Sequence, residues 1–272
     1  EGRHEILAFD MSFHGRTMAS LSATGQEKFH KGFSPLLPGF RHLPFDDVES
    51  AASAVSDKTC AILVEPIQGE GGIRIPSEGY LRGLREICDA NDLLLMFDEV
   101  QVGMGRTGKL WAHEHFDVQP DVMALAKALG AGTAIGAIVA SDEAMAFEPG
   151  DHAATFGGNY LATAAGCAAM DAILAPGFLD RVTEMGEFAQ AGLRDLATRH
   201  SIVKDVRGKG LIVGCELDRD VASIVPKALE AGFLLIVAVG SVIRLIPPLT
   251  VEKEMIEKLL DFLDGALKEL AA

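Results

Sequence analysis

One lysine interrupts an apolar stretch of the sequence and could act as a nucleophile. Lys127 lies within residues 122–129 and is followed closely by Gly130 and Gly132. Lysine is rarely buried unless it is paired or used. A desolvated amine loses its proton more readily and can then attack a carbonyl compound to form a Schiff base. The alternative is a helical lysine whose charged head reaches solvent, and the flanking residues do not decide between the two.

A carboxylate and a glycine-rich turn follow another apolar segment. Asp98 comes directly after residues 93–97 (LLLMF). Ligands of open α/β sheets bind beyond the carboxyl ends of strands, so Asp98 is a candidate ligand contact, with a helix cap or an ion pair as the alternative. Residues 103–108 (GMGRTG) match G-x-G-x-x-G, but a dinucleotide site also requires an acidic residue about 20 positions later. Position 128 is Ala, which favours a glycine-rich active-site turn.

Two arginines stand among apolar residues and could bind carboxylates. Arg16 lies in residues 13–17 (FHGRT) and Arg244 in residues 242–249 (VIRLIPPL). A guanidinium in a dry pocket suits bidentate binding of a carboxylate, although a structural salt bridge would use the same residue type. His113 and His115 have a spacing that fits two metal ligands, but no third ligand follows at a recognisable distance. We therefore predict no metal site.

The elements that position these residues follow from hydrophobic patterning. Apolar runs at residues 4–9, 60–64, 93–97 and 135–140 are typical of buried strands in a parallel sheet, and residues 78–91 have helical spacing. This alternation favours an α/β fold with a mostly parallel central sheet. The second half predicts helices at 159–174, 186–199, 221–231 and 251–270, and strands at 202–207, 211–217, 233–239 and 242–246. We place a domain boundary near residues 176–177, between a large domain (1–175) and a smaller α+β domain (176–272).

Composition excludes several classes of protein. The chain has 24 Lys+Arg against 39 Asp+Glu and a net charge of −15, which disfavours nucleic-acid binding. No apolar run reaches the roughly 18–20 residues of a membrane span. None of the four cysteines forms a C-x-x-C pair, which is typical of reduced thiols in a cytoplasmic protein. We therefore expect a cytoplasmic protein that acts on small molecules.

Seven short segments of the chain form an ordered set of motifs. They are residues 13–17 (FHGRT), 65–72 (EPIQGEGG), 97–108 (FDEVQVGMGRTG), 125–130 (LAKALG), 155–159 (TFGGN), 206–211 (VRGKGL) and 243–249 (IRLIPPL). Taken together, they resemble the motifs of the class III pyridoxal-phosphate-dependent aminotransferases, in the order in which that family carries them. The resemblance implies a fold type I transferase with helices on both faces of the central sheet. It also implies that the 97–108 segment is an aminotransferase signature and not a nucleotide loop.

The resemblance assigns cofactor contacts for pyridoxal 5'-phosphate. It implies that Lys127 binds the cofactor covalently and, once freed by substrate, moves a proton on the substrate carbon. Asp98 would pair with the pyridine nitrogen, and Gln101 would donate to or accept from the ring hydroxyl. Phe13 and Val100 would lie on the two faces of the ring. These roles are expectations drawn from the family.

The remaining assignments concern the phosphate, the subunit interface and the substrate. Glu99 is counted with the cofactor-binding residues, and Thr155 would bind the cofactor phosphate from the neighbouring subunit of a homodimer. Arg16 would bind the distal part of the substrate, and Arg244 would bind the α-carboxylate. Glu70 would pair with Arg244 while an ω-amine donor is bound, and glutamate would displace it.

The activity implied is transfer of an amino group from N-acetylornithine to 2-oxoglutarate, giving N-acetylglutamate semialdehyde and glutamate, in arginine biosynthesis. Alternatives are succinylornithine, ornithine, acetyl-lysine or 4-aminobutyrate as donor, an inactive fragment, or a nicotinamide-dependent oxidoreductase. Ala154 stands where many members with this activity carry Ser. The family begins before the position that matches Glu1, so we expect an N-terminally truncated chain that lacks a phosphate-binding loop.

Overall fold

The computed structural model describes residues 2–271, which contain two sheets formed by separate parts of the chain. The first sheet has the order β2-β1-β3-β4-β5-β6, and its first five strands run parallel. Strand β6 pairs antiparallel with β5 at the edge. The strands are Glu5–Phe9 (β1), Phe40–Leu43 (β2), Thr59–Val64 (β3), Leu94–Asp98 (β4), Val122–Leu125 (β5) and Ala137–Ala140 (β6).

The second sheet is antiparallel throughout and has the order β7-β8-β10-β9. Its strands are Val203–Lys209 (β7), Ile212–Leu217 (β8), Ile236–Ala238 (β9) and Val242–Leu245 (β10). The α-helices are Met18–Ala23 (α1), Glu27–His30 (α2), Val48–Ala54 (α3), Tyr80–Asn91 (α4), Tyr160–Ile173 (α5), Phe178–Arg199 (α6), Ile224–Glu230 (α7) and Lys253–Ala271 (α8). Single 3-10 turns span Ala112–His115 and Lys127–Gly130.

Each sheet has its own hydrophobic core. In the first, α4 packs against β3 and β4, and its Leu81, Leu84 and Cys88 join the strand residues Leu7 and Phe97 in one buried cluster. In the second, α6 and α8 cover β7, β8 and β10, and their leucines form a separate buried cluster. Removing these side chains from water is the main force that holds each sheet to its helices. The domain boundary near residues 176–177 stays a prediction.

The structure confirms a mostly parallel central sheet and corrects several details. Strand β6 was expected to be buried and parallel, but it is an antiparallel edge strand with exposed residues. The Ala-rich sequence of helix α5 favours a buried helix, but Tyr160 and Leu161 are 94% and 75% exposed. Helix α6 begins at Phe178, earlier than predicted, and strands β2 and β5 were missed. Of the four thiols, Cys88 and Cys215 are buried and Cys167 is exposed.

The helices of residues 2–271 were also compared with the requirements of a membrane span. No single helix there is long and apolar enough to cross a membrane. Helices α5 and α6 pass the length and composition test only as a pair, with a bend of 74° between them.

We expect Gly186→Ala to destabilise the fold strongly. Gly186 lies on α6, and a Cβ there would stand 2.0 Å from the carbonyl oxygen of Gly210 in the β7–β8 turn. Because backbone must move to relieve this clash, we expect a loss of about 3 kcal/mol in the free energy of unfolding. Gly265→Ala on α8 is the matched control, since nothing lies within 4 Å of its Cβ position, and it should gain about 1 kcal/mol. Equal free energies of unfolding for the two variants, measured in urea, would contradict the prediction.

Candidate active site

The candidate site lies at the carboxyl ends of the parallel strands of the first sheet. Glu65 follows β3, Asp98 ends β4, and Lys127 comes two residues after β5. These strands are neighbours in the sheet, so their ends converge on one edge, as expected for ligand sites of this architecture. A cavity of about 260 Å³ opens there, lined by Phe13, His14, Gly15, Glu65, Asp98, Val100, Gln101, Ala126 and Lys127.

Asp98 is buried and firmly held. Its Oδ2 lies 2.8 Å from His14 Nδ1, and its Oδ1 accepts a hydrogen bond from the backbone N–H of Val100 at 3.0 Å. His14 Nε2 is buried and has no hydrogen-bond partner within residues 2–271. A carboxylate oxygen can accept two hydrogen bonds, so Asp98 keeps capacity for a cationic donor in the cavity.

Glu65 is a second buried carboxyl beside Asp98. It accepts hydrogen bonds from the backbone N–H groups of Phe13 at 3.0 Å and Gly69 at 3.2 Å. Burial raises the pKa of Glu65 to about 7, the neighbouring His14 opposes the rise, and Asp98 adds to it. The carboxyl of Glu65 therefore ionises less readily than an ordinary glutamate, because burial and a like charge nearby both disfavour its anion.

Replacing Glu65 with Gln should flatten the dependence of stability on pH. The pKa of Glu65 rises from an ordinary 4.5 to about 7 on folding, so the folded chain binds more protons than the unfolded chain between these values. Its contribution to stability is therefore present at low pH and is lost as pH rises from about 4.5 to about 7. Urea unfolding from pH 5 to pH 8 would measure this slope in wild type and variant.

The control for this experiment is Glu257→Gln, at an exposed position of α8. It should keep the wild-type slope. An unchanged slope in Glu65→Gln would contradict the assignment of the titration to Glu65.

Lys127 lines the cavity and is exposed in this chain. It begins the 3-10 turn Lys127–Gly130 with φ +47°, a conformation that L-residues rarely adopt. Within residues 2–271 its amine has no hydrogen bond or salt bridge to hold it. An unusual backbone conformation thus presents a free amine to the cavity that also contains Asp98.

A salt bridge from the second sheet closes one side of the site. Arg244 on β10 is buried, and its Nη1 lies 2.8 Å from Oε1 of Glu70. The same nitrogen donates to Gln101 Oε1 at 3.2 Å, and Gln101 also lines the cavity. Arg244 Nε is buried without a partner among residues 2–271. The predicted substrate clamp is therefore already next to the residues of the first sheet.

Besides Glu70 and Arg244, three predicted residues lie outside the cavity lining. Glu99 is fully buried, and its carboxylate accepts hydrogen bonds from the backbone N–H groups of Ala112 at 2.9 Å and His113 at 2.8 Å. Arg16 is exposed, with its guanidinium 4.3 Å from the centre of the Phe29 ring. Thr155 is exposed in the turn before α5. The structure thus brings together Phe13, Asp98, Val100, Gln101, Lys127, Glu70 and Arg244.

Sequence reasoning missed the roles of His14 and Glu65 in this cavity. Glu65 could have been found by the rule that singled out Asp98, because it also follows an apolar strand directly. His14 gave no signal beyond its residue type, since its contact with Asp98 joins residues 84 positions apart.

The comparison with protein families decides the class of this site. Residues 1–267 match the family described as aminotransferase class III. The chain belongs to the class III aminotransferases. Asp98 at the end of β4, Lys127 after β5 and Arg244 on β10 are the residues to which the resemblance assigns cofactor and substrate contacts, and these roles stay predictions. Members of this class use pyridoxal 5'-phosphate, so the transferase activity and its cofactor follow from membership.

Individual class III relatives cover nearly the whole chain. An acetylornithine aminotransferase from Caldanaerobacter subterraneus is 52% identical over 269 residues, covering 98% of this chain and 68% of the relative. A Toxoplasma gondii ornithine aminotransferase structure has a TM-score of 0.92 and 32% identity, covering 99% of this chain and 66% of that one. A Stenotrophomonas maltophilia N-acetylornithine aminotransferase has a TM-score of 0.82 and 32% identity, covering 99% and 67%. The chain therefore spans about two thirds of these relatives.

The cavity of this class III aminotransferase fits the reactive part of the cofactor. Lys127 offers an unpartnered amine, and Asp98 offers spare acceptor capacity to a protonated ring nitrogen. Phe13 and Val100 supply the apolar walls that an aromatic ring requires. Thr155, predicted to bind the phosphate, is not among the lining residues. The residues at the strand ends therefore suit the ring and its aldehyde carbon.

Proposed function

We propose that this aminotransferase moves the amino group of N-acetylornithine to 2-oxoglutarate, forming N-acetylglutamate semialdehyde and glutamate, as a step of arginine biosynthesis in the cytoplasm. The observation that carries the proposal is the Arg244–Glu70 salt bridge beside the cavity that contains Lys127 and Asp98. It is supported by the similarity to acetylornithine aminotransferases that are 44–52% identical to this chain.

Proton movement at the substrate is the task of Lys127. Its amine would hold the cofactor until substrate arrives and would then take the proton from the substrate carbon that bears the amino group. Pyridoxal phosphate, when bound, supplies an electron sink for the pair left on that carbon. The carboxylate of Asp98 would keep the ring nitrogen protonated, because an opposite charge at hydrogen-bond distance favours the charged form. Gln101 would orient the ring through its hydroxyl.

Two arginines and one glutamate would select the substrate. Arg244 would bind the α-carboxylate of glutamate, which must first displace Glu70 from its 2.8 Å contact. With N-acetylornithine, which reacts through its far amine, Glu70 would stay on Arg244 and neutralise it. Arg16, exposed near Phe29, would receive the distal carboxylate. One pocket could thus accept a dicarboxylate and an ω-amine in turn.

The proposal includes a homodimer. Thr155 is exposed and lies outside the cavity lining, so its predicted role as a phosphate contact would be performed in the site of a second copy. Exposed apolar residues flank it, Phe156 at 82% and Tyr160 at 94%. Large apolar side chains left exposed in one segment are often covered by another chain, which supports the proposed dimer.

The test is a visible absorption spectrum of the purified chain with added pyridoxal phosphate, recorded before and after N-acetylornithine. A protein-bound cofactor band that converts to the amino form of the cofactor is the expected result. A donor panel of ornithine, succinylornithine, acetyl-lysine and 4-aminobutyrate follows under the same conditions. A higher specificity constant for any of these donors would overturn the choice of substrate, and failure of every donor to change a bound cofactor would overturn the transamination itself.

A further inference from the structure

The backbone of the loop that carries Glu70 is hydrogen-bonded to the second sheet by Arg207 of β7. Its Nε donates to the carbonyl oxygens of Gly72 at 3.1 Å and Ile73 at 2.9 Å, and its Nη2 donates to Gly72 at 2.7 Å. The loop spans residues 69–73 and is closed at its base by an antiparallel bridge between Gln68 and Arg74. Arg207 therefore grips the backbone of the loop two or three residues away from Glu70.

Arg207 is itself fixed by two carboxylates of the second sheet. Its Nη1 lies 2.7 Å from Asp205 and 2.5 Å from Glu216. A guanidinium presents its donors in a rigid planar fork, so anchoring one edge on the sheet fixes the direction of the other edge. The second sheet therefore fixes the position of the guanidinium nitrogens that donate to the loop.

The register of the second sheet places Arg207 and Arg244 in one row. Both pair with Gly214 of β8, Arg207 from β7 and Arg244 from β10. Residues directly opposite each other in antiparallel strands project to the same face. Ile73 lies over the glycine between them, since its Cβ is 3.1 Å from the position that a Gly214 Cβ would take. The loop therefore rests on the sheet with an arginine on either side.

The backbone of this loop is held in an unfavourable conformation. Ile73 is fully buried and has φ +52°, where β-branched residues are genuine outliers. Gly72 has φ +101°, and a Cβ there would stand 3.2 Å from Val239. Such backbone persists only where the surroundings determine it. The three hydrogen bonds from Arg207 to Gly72 and Ile73 are the polar part of those surroundings.

We propose that Arg207 is a positioning residue that holds the 69–73 loop in the conformation in which Glu70 meets Arg244, and that it thereby sets the preference between ω-amine and dicarboxylate substrates. The proposal rests on the function proposed above. Without Arg207 the loop relaxes, Glu70 leaves Arg244 more often, and the arginine becomes free for an α-carboxylate. Loss of Arg207 therefore harms the reaction of N-acetylornithine more than that of glutamate.

The activity test compares the two half-reactions in Arg207→Gln loaded with pyridoxal phosphate. The ratio of kcat/KM for N-acetylornithine to kcat/KM for glutamate should fall about tenfold, within the range of couplings between residues of one network. Arg207→Lys keeps a donor and should recover part of the ratio. Arg219→Gln is the control, because Arg219 lies on the surface, paired with Asp218, and should keep the wild-type ratio.

A double-mutant cycle separates positioning from general damage. Glu70→Gln should lower the ratio, and Arg207→Gln in that background should lower it no further, because Arg207 acts through Glu70. The proposal would be overturned if the two substitutions lowered the ratio independently, so that the double variant showed the product of the single effects. It would also be overturned if Arg207→Gln slowed both half-reactions equally. If Arg207→Gln does not fold, Glu216→Gln removes one of the two anchors of the guanidinium and should lower the ratio less. An unchanged ratio in Glu216→Gln would then count against the proposal.

A second readout needs neither cofactor nor turnover. The N–H groups of Gly72 and Ile73 donate to the carbonyl of Gly69 within the loop, so their hydrogen exchange reports its opening. Arg207→Gln should speed deuterium uptake in the 69–74 segment of the cofactor-free chain, whereas Arg219→Gln should not. Unchanged deuterium uptake in Arg207→Gln would contradict the proposal that Arg207 holds the loop. If the wild type does not react with N-acetylornithine, the proposed function is wrong. The hydrogen-exchange comparison would still test whether Arg207 holds the loop.

Discussion

Lys127→Ala should abolish amino-group transfer. The lysine presents to the cavity, from a turn with φ +47°, an amine that has no partner among residues 2–271. Ala could supply neither the covalent bond to the cofactor nor the proton transfer that we propose for Lys127. Removing a positioned acid–base group costs about 10²–10⁴-fold, and we expect at least the upper value because both tasks disappear together. Single-turnover rates with N-acetylornithine would measure the loss.

A structural readout accompanies this kinetic one. After loading with pyridoxal phosphate and reduction with sodium borohydride, mass spectrometry should find the cofactor attached to the peptide that contains Lys127. The Lys127→Ala chain should carry none. Lys258→Ala, at an exposed position of α8, is the control and should behave as wild type. Retained turnover in Lys127→Ala would refute the role assigned to this amine.

Asp98→Ala should be the second most damaging change at the site. It removes the buried carboxylate that contacts His14 and Val100, and with it the charge that we propose keeps the ring nitrogen protonated. Loss of one preorganised electrostatic contact of this kind costs about 10²–10³-fold in rate. Cofactor affinity should fall as well, because the same contact exists before substrate binds. Equilibrium titration with pyridoxal phosphate and single-turnover rates would measure the two effects separately.

Two further variants test whether charge or shape is responsible. Asp98→Asn keeps an acceptor for the Val100 N–H but carries no charge, so its rate should stay close to that of Asp98→Ala. Asp57→Asn changes an exposed residue and should leave both measurements unaltered. If Asp98→Asn kept the wild-type rate with cofactor bound, the carboxylate would not be needed for its charge.

Much of the site could be predicted because it follows from strand ends. The apolar run before Asp98 predicted β4, and the carboxyl-end rule then placed Asp98 beside a ligand. Lys127 was found as a polar interruption of an apolar run. The strand inside that run, β5, was missed because Val122–Leu125 is too short to separate from the following turn. Residue type and local order therefore indicated both residues as candidates, whereas their roles came from the family resemblance and stay predictions.

The remainder depends on contacts between distant parts of the chain. The row of Arg207, Gly214 and Arg244 exists only through the register of three strands, which no local pattern encodes. The antiparallel direction of β6 and the exposure of Tyr160 likewise depend on packing and not on apolar content. Sequence patterning indicates which residues favour burial, whereas strand pairing and packing determine which of them are buried in the fold.

The distribution of the site over two sheets has a consequence for how its chemistry could diversify. Phe13, Asp98 and Lys127 belong to the first sheet and its loops, whereas Arg244 belongs to β10 of the second. Exchanging residues 203–246 between paralogues should therefore alter which amino donor is accepted while the transfer machinery is inherited intact. In such a chimera the 69–73 loop must come from the same paralogue as the exchanged segment, since Arg207 and Arg244 of that segment both bind the loop.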